Sequence, residues 1–223
     1  MAVSSAQEVA GIPMDTVLRR RLLAVLQTPV APEEVTYEEF LAWADEDTLA
    51  EWVDGAIVMT SPASRSHQDV MGFLNTILRT FVEQHALGVV LSAPFQMKLA
   101  RTGREPDLLF VASEHLDRLR MTYLDGAADL VVEIISPESV GRDRGEKFIE
   151  YEAGGVTEYW LIDSQRQWVD CYHLVDSRYR LVFAGAAGEY RAQVLPGFWL
   201  QVAWLWQQPL PPVLSVLREL GVL

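Results

Sequence analysis

Apolar positions follow two periods along this chain, and the change of period marks the elements. From Ser64 to about His85, Val70, Phe73, Leu74, Ile77, Leu78 and Phe81 recur every three or four residues, which predicts one long amphipathic helix. The stretch Asp129 to Pro137 reads differently: it is short, β-branched and closed by Ser136-Pro137. That is the pattern of a buried strand, with one carboxylate, Glu133, inside it. Asp143 to Tyr151 then has helical character, and Gly154-Gly155 stops it. A second apolar run follows from Glu158 to Asp163. Strand, helix and strand within about 35 residues is the size of a βαβ crossover, so the two strands are expected to be parallel neighbours.

The remaining pattern supplies shorter elements. Thr36 to Glu39 is a capping-box start for a helix running to about Asp45. Asp54-Gly55 sits between the apolar stretches of Glu51 to Met59, a hairpin signal, and Ser61-Pro62 ends it. Val89 to Lys98 holds two extended pieces parted near Ala93-Pro94, and Pro106-Asp107 opens a strand over Leu108 to Val111. Trp168–Val175, Tyr179–Ala184 and Glu189–Leu195 read as short strands. Pro196-Gly197 then turns the chain into an apolar tail, Phe198 to Trp206, a Pro-rich bend and a final short helix. Residues 1–32, with a basic amphipathic segment from Asp15 to Gln27 and a Pro-containing linker, read as an appendage; residues 33–223 read as one domain.

Composition narrows the classes. No apolar run approaches the roughly 20 residues a bilayer span needs, and the N-terminus lacks a basic region followed by an apolar core, so no secretion signal is expected. The single cysteine, Cys171, lies in an expected strand as a small buried hydrophobe, which suits a cytoplasmic protein. A net charge of −13 argues against broad affinity for nucleic acid. Lys98, Arg101, Arg104, Arg142, Arg144 and Lys147 fall in two short stretches beside Asp107 and Glu133, however, and a local basic rim around an acidic centre is one expectation. Solvated surface charge is the other.

A carboxylate inside an apolar strand is costly unless a cation, a metal or a proton compensates it. Asp107 and Glu133, on neighbouring strands, could share a divalent ion, since Mg²⁺ takes one or two carboxylates with waters and phosphate oxygens. Glu133 lies roughly 6.6 Å back from Ile135 along the strand. Lys147 lies about 6 Å into a helix that runs the other way, so the two fall at similar depth. Each residue also has a plainer reading. Asp107 after a proline can organise a turn, Glu133 can be a structural ion-pair partner, and Asp143 with Lys147 has the spacing of an exposed i, i+4 pair.

The ordered set Pro106-Asp107, Glu133 to Pro137, Asp143, Lys147, Tyr151 and Gly155 to Asp163 resembles the Uma-type restriction-endonuclease family of the PD-(D/E)XK nuclease superfamily. Thr36 to Phe40, Glu51 with Asp54-Gly55, Ser61-Pro62 with His67, and Val194 to Gly197 extend the resemblance to roughly residues 33–206. It implies an α/β (α+β) restriction-endonuclease-like fold, a central mixed sheet flanked by helices, with an N-terminal helical and hairpin extension. It also implies a Mg²⁺-dependent DNA endonuclease, Mn²⁺ being a possible substitute, that acts as a homodimer. On this resemblance Asp107 and Glu133 hold the metal and Lys147 completes the catalytic set, with Glu51, His67 and Tyr151 as further site positions; capping or packing at the helix start is the plainer reading of His67. The superfamily's E-x-K places lysine where this chain has Ile135, so the lysine role passes to Lys147. The tail aromatics Trp199, Trp204 and Trp206, read as a surface, also point to a homodimer; closure of the monomer's core is their other reading. Two rival classes stand beside the nuclease: a non-catalytic interaction protein that keeps the ion-paired core, and a carboxylate-pair glycosidase, which leaves Lys147 unexplained.

Overall fold

The computed structural model describes residues 35–45, 48–59, 63–135 and 141–223. The expected appendage at 1–32, and the breaks at Ser61-Pro62 and Ser136-Pro137, lie outside them. Helix α1 (Tyr37–Trp43) starts with the expected capping box: Thr36 Oγ1 accepts from the Glu39 N–H, and the Glu39 carboxylate accepts from the Thr36 N–H. Strands β1 (Ala50–Val53) and β2 (Ala56–Met59) form a hairpin whose Asp54 and Gly55 have φ of 48° and 81°. A two-residue type I′ turn needs positive φ at both positions.

Helix α2 (Arg65–Gln84) is capped by Ser64 and buries all six of its expected apolar positions. There follow β3 (Gly88–Ser92), β4 (Gln96–Lys98), β5 (Thr102–Arg104), β6 (Leu108–Ala112), β7 (Tyr123–Asp125) and β8 (Leu130–Ile135). The crossover holds a π-helical turn, Arg142–Glu146, that runs into α3 (Lys147–Gly154), closed by Gly155 in the left-handed conformation. After it come β9 (Glu158–Asp163), β10 (Trp168–Val175), β11 (Arg178–Gly185), β12 (Glu189–Arg191), β13 (Trp199–Gln201), a 3₁₀ turn (Val202–Trp206) and α4 (Val213–Glu219).

Instead of one central sheet there are two mixed sheets and a small pair. The larger has the order β11-β10-β9-β8-β6-β3, the other β2-β1-β5-β4-β7, and β12 pairs with β13. The hairpin read as an extension is the edge of the second sheet, because β5 pairs with β1 through Trp52–Gly103 and Val53–Thr102. Gly103 permits this: a Cβ there would stand 2.4 Å from the Tyr37 ring, which packs over the strand. As expected, β8 and β9 are parallel neighbours; their partners on either side, β6 and β10, are antiparallel.

The period of two along β8 decides which face carries chemistry. Leu130, Val132 and Ile134 join the core under α2, while Val131 and Ile135 join a second core with Tyr151 of α3. Glu133 therefore shares the face covered by α3. The apolar tail does not form a surface patch. Phe198, Leu200, Val202, Trp204 and Leu205 are buried, and Trp199 and Trp206 pack against the same core as α2. These aromatics close the monomer, which removes the surface argument for a homodimer. Among the described residues no helix is long and apolar enough to cross a membrane.

Candidate active site

β8 brings Glu133 to the middle of the covered face, and α3 lowers Lys147 onto it. Lys147 Nζ lies 3.0 Å from Glu133 Oε1, 3.3 Å from Glu51 Oε1 and 3.6 Å from Asp143 Oδ1. The Tyr151 hydroxyl, one turn further along α3, donates to the same Glu133 oxygen at 2.7 Å. Asp143 and Lys147 are both buried, so their i, i+4 spacing is not that of an exposed helix-face pair. Asp143 is held from below as well: the Tyr159 hydroxyl donates to its backbone carbonyl at 3.1 Å. The π-helical turn that carries Asp143 has no signature in the sequence; such turns recur at functional sites.

Asp107 precedes β6 by one residue. Leu108 pairs with Val132, so the antiparallel register carries the Asp107 backbone opposite Glu133. Its carboxylate is fixed from two sides: Oδ2 accepts the Ile134 N–H at 2.7 Å, and Oδ1 lies 3.0 Å from His67 Nε2. His67 reaches it from the first turn of α2, where its own N–H is bonded to the capping Ser64 hydroxyl.

The three other residues singled out from the sequence, Glu51, His67 and Tyr151, thus join the three principal ones. Glu51 arrives from the second sheet and binds Lys147, the Glu105 N–H at 3.1 Å and Arg104 Nη1 at 3.0 Å. Arg104 is fully buried and grips Glu150 of α3 in a two-pronged contact, Nε and Nη2 each at 2.7 Å. Sequence reasoning placed Arg104 in a basic rim. Among the described side chains that rim does not form: Arg104 and Lys147 lie inside the acidic cluster, Lys98 and Arg101 pair with Glu38 and Asp54, and Arg144 pairs with Asp170. Thr102, Gly103 and Arg104 are all buried in a strand flanked by β1 and β4, with Glu150 of α3 against the arginine, and no local pattern announces it.

Burial pushes the Glu133 carboxyl up to about 8; Lys147 pulls against that, while the nearby charges of Asp143 and Asp107 add to it. Glu51 goes the other way. Burial opposes its ionisation, but Lys147 and Arg104 prevail and hold it below the usual carboxylate range. Burial also works against the Lys147 ammonium, and Glu133, Glu51 and Asp143 overcome it, so Lys147 stays charged.

Hard oxygen donors in a negative setting suit Mg²⁺. Lys147 and Tyr151 both engage Oε1 of Glu133, and among the described residues no hydrogen bond reaches its Oε2. Among the described residues no group of three or more His, Cys, Asp or Glu is arranged so as to hold a metal ion by itself. Tetrahedral zinc-type cages are therefore not the pattern here, whereas a magnesium ion held by two carboxylates with water and phosphate oxygens needs no third side chain.

A crystal structure described as that of a putative nuclease belonging to DUF820 from Anabaena variabilis ATCC 29413 is similar to this fold, with a TM-score of 0.67 at 16% identity. The similarity covers 77% of this chain and 97% of that one, and shows the shared fold. No curated protein matches the chain. The family described as "Putative restriction endonuclease" matches residues 37–203, a span holding Glu51, His67, Asp107, Glu133, Lys147 and Tyr151, and on that match the chain belongs to the Uma2 family.

Proposed function

We propose that the protein is a Mg²⁺-dependent DNA endonuclease that hydrolyses phosphodiester bonds at the cluster around Glu133. One observation carries the reading: a buried strand carboxylate, Glu133, lies in contact with Lys147, while Asp107 stands beside the next backbone position with its carboxylate already oriented. Family membership and the likeness of fold support it. Asp107 and Glu133 are the residues that would hold the ion, whose chemistry there is to polarise a phosphodiester and lower the pKa of a bound water.

The chain's own residues divide the remaining work. Lys147 offers a fixed ammonium where negative charge develops on the phosphate, with no reorganisation at that moment. Tyr151 and Lys147 hold Glu133 Oε1 in place, so that its second oxygen has one orientation. Glu51 and Asp143 fix Lys147 in turn. The acidic groups around Glu133 repel a phosphate at that position until a cation is bound, which makes engagement of the scissile phosphate, though not of flanking nucleotides, depend on the metal.

Calorimetry with Mg²⁺ or Mn²⁺, paired with nicking of supercoiled DNA, tests this. Wild type should bind and nick, and Asp107→Ala and Glu133→Gln should each lose both. Unchanged ion binding in both variants would refute the metal assignment. A second reading, a non-catalytic nuclease-fold protein, draws on the ion pairing of Lys147 with three carboxylates and on Ile135 at the superfamily's lysine position. It predicts no nicking under any metal.

A further inference from the structure

Next to the carboxylate cluster, on the same face of the larger sheet, lies a cleft of about 410 Å³ lined by Arg144, Arg166, Trp168 and Asp170. Its position follows from register. Glu133 pairs with Leu161, and Leu161 pairs with Asp170, so the three form one row across β8, β9 and β10. Ile135, Asp163 and Trp168 form the next row. Paired residues share a face, and strands are about 4.8 Å apart, so the cleft sits about 10 Å from Glu133. The turn that carries Lys147 spans this gap: Lys147 reaches Glu133 at one end, and Arg144, three residues earlier, reaches Asp170 Oδ2 at 2.7 Å at the other.

We infer that this cleft is a substrate-strand subsite in which Trp168 stacks an unpaired nucleobase and Arg166 meets a neighbouring phosphate. Trp168 is 40% exposed, yet it is not loose. Its Nε1–H donates to Asp170 Oδ1 at 2.8 Å, and Asp170 is buried with its charge answered by Arg144. A buried carboxylate thus holds an exposed ring in one orientation, the preorganisation that a stacking platform requires. Arg166 is 72% exposed and its guanidinium makes one long contact, Nε to Asp163 Oδ2 at 3.8 Å, so it can turn to a phosphate without leaving a close partner. A duplex keeps its base faces stacked on each other. A ring that reads a base face therefore selects an unpaired stretch, a frayed end or a single strand. This inference rests on the nuclease reading for the identity of the strand, but not on catalysis.

The test is fluorescence anisotropy with a labelled single-stranded oligodeoxynucleotide and with the same sequence as a blunt duplex, both in EDTA, so that cleavage plays no part. Wild type should prefer the single strand. Trp168→Ala should weaken that binding about tenfold or more, the scale of one lost base–aromatic stack, while Trp168→Phe should stay within about threefold of wild type. Trp168→Leu, which keeps bulk but has no π face, should behave like Trp168→Ala and serves if the alanine variant does not fold. Arg166→Ala should reduce the salt slope of binding by about one. Absence of single-strand binding by wild type, equal affinity of Trp168→Leu, or tighter binding of the duplex would overturn the subsite. Phenylalanine failing as badly as leucine would overturn it too, since only the indole hydrogen bond to Asp170 would then matter. Single-strand binding without Mg²⁺-dependent nicking would keep the subsite and remove the nuclease reading.

Discussion

Lys147 Nζ lies 3.0 Å from Glu133 Oε1, with the lysine on the first residue of α3 and the glutamate inside the strand that precedes it. Both are buried, and the contact closes the crossover against the sheet. The dependence is one-sided: Lys147 also has Glu51 and Asp143, whereas ionised Glu133 has no other cation in contact among the described residues.

Removing the lysine should therefore be costly. An exposed helix-face pair would lose a few tenths of a kcal/mol, whereas breaking a buried pair costs about 3–5 kcal/mol. Lys147→Ala is expected in the second range in chemical denaturation above about pH 8, where Glu133 is ionised. The loss should shrink as pH falls below that value, where a proton on Glu133 replaces the missing cation. A pH-independent loss of under 1 kcal/mol, roughly the surface-pair limit, would show the pair to be dispensable.

Much of this site was legible along the chain, and the reasons are local. The α2 stripe, the capped α1, the Asp54-Gly55 turn and the β8–α3–β9 unit are written in periods and caps that act within one turn or one strand. Glu133 stood out because a carboxylate in an apolar run has to be compensated. Arg104 and Glu150 do not stand out, because they are 46 residues apart and meet only when α3 packs against β5. Pairing of β1 with the distant β5 likewise makes the expected hairpin extension a sheet edge. Trp199, Trp204 and Trp206 read as surface because nothing in the tail itself says that α2 lies beneath it.

His67 is expected to act on Asp107 by positioning it. Its Nε2 and the Ile134 N–H each hold one carboxylate oxygen, and partners of this kind typically alter metal affinity 10–100-fold, an effect expected here at roughly that scale. His67→Ala should weaken Mg²⁺ binding in calorimetry, with His67→Asn recovering part of it if the amide can still reach Asp107. Burial works against the imidazolium, but the hydrogen bond and charge of Asp107 prevail and raise its pKa above 6.5. Its ionic contribution is then full below pH 6.5 and fades as pH rises through the folded value. Identical Mg²⁺ affinity in wild type and His67→Ala would remove the positioning role.

Glu105 gives a second pH signature at a position outside the proposed ion ligands. Burial pushes its carboxyl from the ordinary 4.5 up to about 7, and a hydrogen bond from Gln96 Nε2 only partly offsets this. Between those two values the unfolded chain has released the proton and the folded one retains it. Stability from this group therefore falls as pH rises from about 4.5 to about 7 and is flat above. Glu105→Gln should flatten that window in a series of melts and leave the protein more stable than wild type at pH 8. A parallel decline in the variant would assign the slope to another group.

Arg104 should prove the joint between the second sheet and the site. It is fully buried, and its guanidinium spans Glu51 of β1 and Glu150 of α3, so it ties the hairpin sheet to the helix that carries Lys147. Lysine cannot reproduce the two parallel contacts to Glu150 together with the third to Glu51, because it is a point charge and not a planar fork. Arg104→Lys is thus expected to destabilise, and Arg104→Met to destabilise further by leaving two carboxylates without their cation. Adding Glu150→Gln to Arg104→Met should recover part of the loss, since it removes one of the stranded charges. Coupling of roughly 1 kcal/mol or more in that double-mutant cycle is the expected result. The cycle also separates the joint from the chemistry. If the doubly substituted protein regains stability but nicks DNA no better than Arg104→Met, then Glu51 and Lys147 have lost their alignment even though the fold has recovered. If both recover together, Arg104 serves the fold alone, and additive effects of the two changes would show that no such joint exists.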